Sequence, residues 1–374
     1  MIRTIGLVTG GGDAPGLNAV IRAVVKTATG EFDVRVIGIE DSFEGLLGST
    51  STTELGLTNV RGLLPRGGTI LGTRNRGCFI EHLPDGRLVK PPEIYTEAVD
   101  NIRKLGIDGL IVLGGEGTLA IAAEFIRHGV PVVGVPKTID NDLASTELTF
   151  GFLTALDIAT EALDRLHTTA ESHDRLMLLE VMGRNTGWIA LHSGIAGGAD
   201  IILIPEIPFM MEAVAEKVLE RERNGSRFSI VVVAEGALEV GHDQIYLEPG
   251  SRESSPRLGG IGDYCRRELG KLTGKESRCV VLGHLQRGGS PNAFDRMIAT
   301  SFGACAARTL ISGESGVMVA LQGTNVVSVP LDESVANIKT VPPNGQLVRT
   351  ARDIGISFGA AEDLRRIVTE QISF

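Results

Sequence analysis

The sequence predicts an α/β fold in which mainly parallel sheets are flanked by helices. Three observations lead to it. Short runs rich in β-branched residues alternate with longer helical patterns. Those runs are continuously apolar rather than alternating, the pattern of strands buried on both faces by crossover helices. The glycine-rich segments fall just after predicted strands, at the edge where such sheets bind ligands. At 374 residues, and roughly 100–200 residues per domain, the chain makes about two domains.

In chain order, residues 4–8 (TIGLV) read as a strand, followed by a glycine loop and a helix over 15–29. Residues 34–39 are a second strand. A helix over 92–105, a strand over 109–113, a helix over 118–128 and a strand over 130–135 follow. The helix over 152–169 precedes the strand 176–181. A helix near 185–196, a strand at 200–204, a helix near 212–224 and a strand at 228–234 continue the alternation. Later strands are 278–283 and 316–321, with helices near 262–271 and 293–312. The polar, turn-rich stretch 236–262 reads as an inserted surface excursion. The tail from Pro342 carries the weakest pattern.

Glycine is the compositional outlier: 48 of 374 residues, without proline enrichment (15 Pro) and without a repeat. That excludes collagen and linker-like disorder. A hydrophobic fraction of 43% suits a chain that buries large cores. Lys and Arg total 36 against 46 Asp and Glu, a net charge of −10, which argues against a nucleic-acid partner. The cysteines (Cys78, Cys265, Cys279 and Cys305) form no CxxC pair and no cluster at zinc-ligand spacing; that usage fits a reducing cytosol. The start, MIRTIGLVTGGGDAPG, is too short and too glycine-broken for a signal peptide. The apolar runs at 109–113 and 229–234 fall well below the ~20 residues of a membrane helix. A cytoplasmic protein with no membrane partner is expected.

Five segments carry the chemistry. The first, Gly10-Gly11-Gly12-Asp13-Ala14-Pro15-Gly16-Leu17-Asn18, joins a strand to a helix. Its Gly11-to-Gly16 spacing mimics a P-loop, but Leu17 and Asn18 stand where that motif needs Lys and Ser/Thr, and GxGxxG is absent. Two readings remain: N–H groups at a helix N-terminus facing an anion, or a tight structural turn. The second segment is Gly114-Gly115-Glu116-Gly117-Thr118. It suits a polyphosphate approached by backbone, with Glu116 holding Mg²⁺ directly or through water; alternatively Glu116 complements the helix dipole. The third, Pro136-Lys137-Thr138-Ile139-Asp140-Asn141-Asp142, sets two carboxylates beside a lysine and a hydroxyl. Phosphoryl transfer needs such a base, with cations and donors for the transferring group; an Asp-rich turn is the plain alternative.

The fourth segment is Val181-Met182-Gly183-Arg184-Asn185, with Arg175 just upstream. In the fifth, Arg278 stands six residues before His284 and Arg287 three after it, bracketing a predicted strand end. Arginines with a histidine suit a substrate phosphate. Surface ion pairs and a structural histidine are the competing readings.

Taken together, GGGDAPGLNAVIR, RGGTILGT, LGGEGT, PKTIDND, VMGR, AEGA and LGHLQRGGSP stand in the order and approximate spacing of the phosphofructokinase family, over about residues 5–300. The chain resembles a member of that family. The resemblance implies two Rossmann-like domains with the active site in the cleft between them. The larger, donor-binding domain would hold residues 1–150 plus about 286–336. The smaller, sugar-phosphate domain would hold about 151–285 plus 337–374.

The implied reaction is phosphoryl transfer to the 1-hydroxyl of fructose 6-phosphate, with Mg²⁺ as cofactor. By resemblance, Asp140 is the base, with Thr138 and Asp142 as neighbours that position substrate and metal, and Lys137 beside them. Arg184 resembles the arginine that stabilises the transferring group, and Met182 and Gly183 line the sugar pocket. Glu235 resembles the carboxylate that holds sugar hydroxyls, and His284 and Arg287 the 6-phosphate ligands of the same subunit. Arg175 and Arg278 match arginines supplied across a subunit boundary. That implies a homo-oligomer, in the family most often a tetramer with shared active sites. Gly11, Gly115, Gly117 and Thr118 match the donor site.

Three departures bear on these roles. Glu116, the implied metal ligand, stands where the commonest bacterial members have Asp. The stretch Gly72-Thr73-Arg74-Asn75-Arg76-Gly77 replaces GSxR, which leaves the donor-side arginine as Arg74 or Arg76, with Arg76 preferred. Lys137 accompanies Gly117, whereas pyrophosphate-using members pair a lysine there with Asp at the position of Gly117. Gly117 leaves room for an α-phosphate, so ATP is expected over pyrophosphate. A non-catalytic sugar-phosphate sensor is the alternative of another class; Asp140, Asp142 and Arg184 argue against it, since a binder needs no base. A nucleotide-dependent dehydrogenase lacks its fingerprint.

Overall fold

The structure is a computed structural model that describes residues 2–75, 77–82, 88–248 and 256–363. The chain divides into two compact units. One holds Met1–Thr154 and Arg287–Lys339; the other holds Ala155–Pro249, Pro256–Gln286 and Thr340–Phe374.

The first unit opens with β1 (Thr4–Thr9), α1 (Leu17–Glu31), β2 (Arg35–Ile39) and β3 (Thr52–Glu54). A small antiparallel pair, β4 (Glu81–His82) and β5 (Leu88–Val89), precedes α2 (Pro92–Lys104), β6 (Gly109–Gly114), α3 (Glu116–Arg127), β7 (Val132–Thr138) and β8 (Phe150–Gly151). Helix α4 (Phe152–His173) carries the chain into the second unit. There β9 (Leu176–Val181), α5 (Trp188–Ala196), β10 (Ile201–Leu203), α6 (Met211–Arg223) and β11 (Ser229–Ala234) alternate. The hairpin strands β12 (Tyr246–Glu248) and β13 (Arg257–Leu258) lead to α7 (Ile261–Thr273) and β14 (Ser277–Val281). The chain returns to the first unit with α8 (Ala293–Ile311), β15 (Val317–Gln322), β16 (Asn325–Pro330) and α9 (Leu331–Ala336). The short helix α10 (Gln346–Asp353) belongs to the second unit.

Every residue of β1, β6 and β7 is buried. That is why their central residues are apolar runs (IGLV, GLIVLG and VVGV). The first sheet runs β16-β15-β7-β6-β1-β2-β3, with β8 paired to β7. Its pairs are parallel except β2·β3 and β15·β16 at the two edges. Val20 and Val24 of α1 pack with Phe302 and Ala306 of α8 in the core that covers one face. The opposite core holds Phe43, Phe79, Tyr95 and Phe125 with ring centroids 5.2–5.8 Å apart; aromatic pairs favour that spacing. From β1 the chain runs outward to β2, then returns to β6 on β1's other side. The carboxyl ends of β1 and β6 therefore form a topological switch point, the place where such sheets bind ligands.

The second sheet is wholly parallel, in the order β10-β11-β9-β14. It repeats the device: β10 and β11 lie on one side of β9, β14 on the other. No helix among the described residues is long and apolar enough to cross a membrane.

Several boundaries differ from the sequence expectations. Pro136, Lys137 and Thr138 belong to β7 rather than to the following loop. They extend the strand because Pro136 pairs with Gly114, Lys137 with Phe150 and Thr138 with Gly151. The strand expected over 278–283 ends at Val281 and gives way to a 3₁₀ turn, Gly283–Gln286. The helix expected from 185 begins at Trp188, because residues 182–187 form a loop. Within the expected excursion 236–262, residues 249–255 lie outside the described residues, as does the tail beyond 363.

Candidate active site

In the first unit three strand-end segments converge. Gly10 N donates to Leu113 O (3.0 Å), which ties the loop after β1 to β6, and Gly11 N donates to Arg74 O (3.1 Å). Gly11 lies at φ +76, a conformation that suits glycine. A Cβ there would stand 3.2 Å from Thr118 Oγ1 and 3.3 Å from Lys137 Nζ. So the glycine loop, the start of α3 and the end of β7 share one place.

Lys137 is 3% exposed, and its Nζ donates to Gly12 O. Arg287 Nη1 donates to Asp13 O (3.1 Å) in the same loop. Burial, with the Arg287 cation nearby, lowers Lys137 from 10.5 to about 7; the carboxylates of Asp140, Asp13 and Asp142 oppose that shift. After β7, Asp140 N donates to Thr138 Oγ1 (3.1 Å) and Thr149 Oγ1 to Thr138 O (2.7 Å). Both Asp140 and Asp142 are buried, and Asn141 between them lies at φ +52.

Glu116 is the half-buried first residue of α3, and Thr118 is buried two residues on. A Cβ added at Gly117 would meet nothing within 4 Å. Among the described residues, no cluster of three or more His, Cys, Asp or Glu could cage a metal. A single carboxylate at the start of a helix is nonetheless a donor set that suits Mg²⁺, which takes one or two carboxylates together with substrate phosphates.

In the second unit the loops after β9, β11 and β14 converge in the same way. Glu235 N donates to Val181 O (2.9 Å), and Arg184 N donates to Glu235 Oε1 (3.0 Å). Met182 N donates to Gln286 Oε1 (2.8 Å). Gly183 lies at φ +155, and a Cβ there would stand 2.4 Å from the Thr186 carbonyl oxygen. Only glycine fits that close approach. Arg184 follows in the left-handed region at φ +51 with its side chain exposed. Strain of this kind concentrates at functional sites. His284 is exposed in the turn after β14.

Against known proteins, the phosphofructokinase family model matches residues 4–310. The chain belongs to the phosphofructokinase family. It is 57% identical to the ATP-dependent 6-phosphofructokinase of Chloroflexus aurantiacus, over 95% of this chain and 97% of that protein. It is 49% identical to ATP-dependent 6-phosphofructokinase 2 of Clostridium perfringens (96% and 98% covered). It is also 49% identical to the pyrophosphate–fructose 6-phosphate 1-phosphotransferase of Streptomyces coelicolor (95% and 99% covered). The crystal structure of Pichia pastoris phosphofructokinase in the T-state superposes with a TM-score of 0.78 at 31% identity, covering 99% of this chain and 38% of that chain.

The phosphofructokinase motifs thus gather at two sets of strand ends, but two arginines stand apart from them. Arg175 immediately precedes β9, and Arg278 is the second residue of β14. Both pair with Glu276, at 3.0 and 2.5 Å, at the amino end of the second sheet. Glu235, Arg184 and His284 sit at its carboxyl end. Arg278 and His284 therefore do not bracket one strand end: at about 3.3 Å per residue, the length of β14 separates them. Of the candidate donor-side arginines, Arg74 pairs with Asp41 (3.3 Å), and Arg76 lies outside the described residues.

Two contributors escaped the reading of the phosphofructokinase motifs. Gln286, fully buried, ties the β9 and β14 loops together; it lay inside LGHLQRGG, and its burial is invisible in that string. The other is Lys339, which no motif marks.

Proposed function

We propose that this chain transfers a phosphoryl group from MgATP to the 1-hydroxyl of fructose 6-phosphate, giving fructose 1,6-bisphosphate and ADP. The observation that carries the donor choice is the open space at Gly117, where the first turn of α3 leaves room for an inner phosphate. The 57% identity to relatives named ATP-dependent supports the same choice.

In this reading the donor's phosphates lie against the backbone of Gly11 and Gly115 and the N-terminus of α3, with Thr118 and Lys137 beside them. Glu116 would hold Mg²⁺ together with those phosphates. When bound there, the ion supplies charge neutralisation for the transferring group. Asp140 takes the proton of the sugar hydroxyl, with Thr138 and Asp142 as its neighbours. Arg184 steadies the charge that spreads over the moving phosphoryl group. Glu235 accepts hydrogen bonds from sugar hydroxyls, Met182 and Gly183 line the sugar, and His284 and Arg287 hold the 6-phosphate. Arg76 is the donor-side arginine in preference to Arg74, whose guanidinium is engaged with Asp41.

Arg175 and Arg278, remote from this chain's own Arg184, serve the site of a neighbouring copy in a homo-oligomer, in this reading a tetramer. Exposed Val280 (38%) and Val281 (54%) on edge strand β14 and Leu285 (69%) in the turn that follows support an apolar contact with a second copy. The cysteine usage supports a cytoplasmic setting.

Lys137 supports a second reading, with pyrophosphate as donor, because a lysine pairs with a phosphate of either. Steady-state rates with fructose 6-phosphate and either MgATP or Mg-pyrophosphate decide it. The proposal expects the higher kcat/KM with MgATP, and faster turnover with pyrophosphate overturns it.

A further inference from the structure

Lys339 closes the first unit, and its segment is stitched to the turn after β7. Its backbone N donates to Asp142 O at 2.8 Å, and its neighbour Ile338 pairs with Leu143 in an antiparallel bridge. Its Nζ donates to Asn141 Oδ1 (3.0 Å), Thr146 O (2.9 Å) and Glu147 O (3.0 Å). Three donors on one ammonium thus span the whole turn from 141 to 147. Asn141 is the residue between the two buried carboxylates, and it sits at φ +52, in the left-handed region that asparagine enters more readily than other residues with a side chain. Its side-chain hydrogen bonds select this conformation among those open to asparagine. Two donors meet on its one side-chain oxygen, Lys339 Nζ and Thr149 N (3.1 Å).

We propose that Lys339 is a positioning residue for catalysis: by gripping Asn141 and the carbonyls beyond it, Lys339 locks the left-handed turn and so aims the Asp140 carboxylate at the sugar hydroxyl. This rests on the role proposed for Asp140. Asp140 and Asp142 leave the strand end on either side of Asn141, so relaxing Asn141 swings both. A displacement of about 1 Å in a reacting group costs on the order of 100-fold in rate.

The test compares kcat, KM and thermal unfolding for wild type, Lys339→Met, Lys339→Arg, Asn141→Gly and the double variant Lys339→Met/Asn141→Gly. Lys339→Met is expected to lose about 100-fold in kcat, with KM for both substrates changed by less than about threefold. Lys339→Arg, which keeps a cationic donor, recovers at least about tenfold of that loss. Asn141→Gly accepts the left-handed region but offers Lys339 no side chain, so it lowers kcat as well. The double variant falls no more than about threefold below the worse single variant, because both act on one element.

Full kcat in a folded Lys339→Met overturns the proposal, as do losses that multiply in the double variant. If Lys339→Met does not fold, Lys339→Arg in the Asn141→Gly background decides. No further loss supports the proposal, and a multiplied loss overturns it. Asp140→Asn, run alongside, separates the two readings. If it retains turnover, the Asp140 assignment fails. If it is inactive while Lys339→Met is not, only the role of Lys339 fails.

Discussion

The Nζ of Lys137 donates to the backbone carbonyl of Gly12, so a buried cation from the end of β7 reaches across the loop that follows β1. Burial holds its pKa at about 7, against an ordinary 10.5. A donor's phosphates beside it would favour the charged form and raise that value.

Donor binding near pH 7.5 is therefore expected to take up protons. Calorimetry in buffers of different ionisation enthalpy measures that uptake. Lys137→Met should abolish it and raise the donor KM about 30-fold, the worth of one charge-assisted hydrogen bond. Unchanged uptake in the variant would remove Lys137 from the donor site. The sign for stability follows from the same shift. Between about 7 and 10.5 the folded state binds fewer protons than the unfolded chain at this lysine. Its contribution is complete above 10.5 and is lost as pH falls through the window to 7. The stability-versus-pH curve of Lys137→Met should accordingly rise less over that interval than that of wild type.

Asp140→Asn keeps the shape of the side chain and removes the proposed base. A fall of about 10²–10⁴-fold in kcat with little change in KM is expected, the usual size of a general-base contribution. A sugar-phosphate sensor would have no turnover to lose, so bound fructose 6-phosphate without catalysis in wild type would count against an enzyme.

Gly117→Asp tests the donor. Near the start of α3 an aspartate complements the helix dipole, and nothing lies within 4 Å of the new Cβ, so the variant should fold. Its carboxylate would face the inner phosphate of a nucleotide. Like-charge contact of that kind costs several kcal/mol, so kcat/KM for MgATP should drop about 100-fold while any rate with pyrophosphate falls far less. Equal losses with both donors would refute the steric argument.

Asp295 is a structural prediction. It is 1% exposed and accepts bonds from Gly151 N (2.9 Å), Thr154 N (2.7 Å) and Thr154 Oγ1. Asp295→Ala strands three buried donors, at a cost of about 3–5 kcal/mol. Urea unfolding should show a lower midpoint with a similar slope. A loss below about 1 kcal/mol would mean the site relaxes or admits water.

Legibility in the sequence followed burial. Strands β1, β6, β7, β9 and β11 are covered on both faces, so each stood out as an apolar run. Edge strands β3 and β16 are largely half-exposed or exposed and carry too little hydrophobic pattern to be found. The helices α9 and α10, of six and eight residues, are too short for periodicity to register. The motif loops were legible because tight strand-to-helix turns demand glycine and polar residues at set spacings. The placement of Arg175 and Arg278 was not, because six residues of spacing reveal neither where a strand begins nor which end of it a side chain occupies.

What the sequence determined alone is the local chemistry: parallel strands ending in glycine loops, an Asp-Asn-Asp turn, and the family these belong to. What only the tertiary structure decided is which side chains meet. Lys137 over Gly12, Arg287 on Asp13, Gln286 on Met182 and Lys339 on Asn141 join residues 104 to 274 positions apart. No local propensity specifies such contacts. They arise because crossover connections bring the carboxyl ends of separate strands to one edge of a sheet.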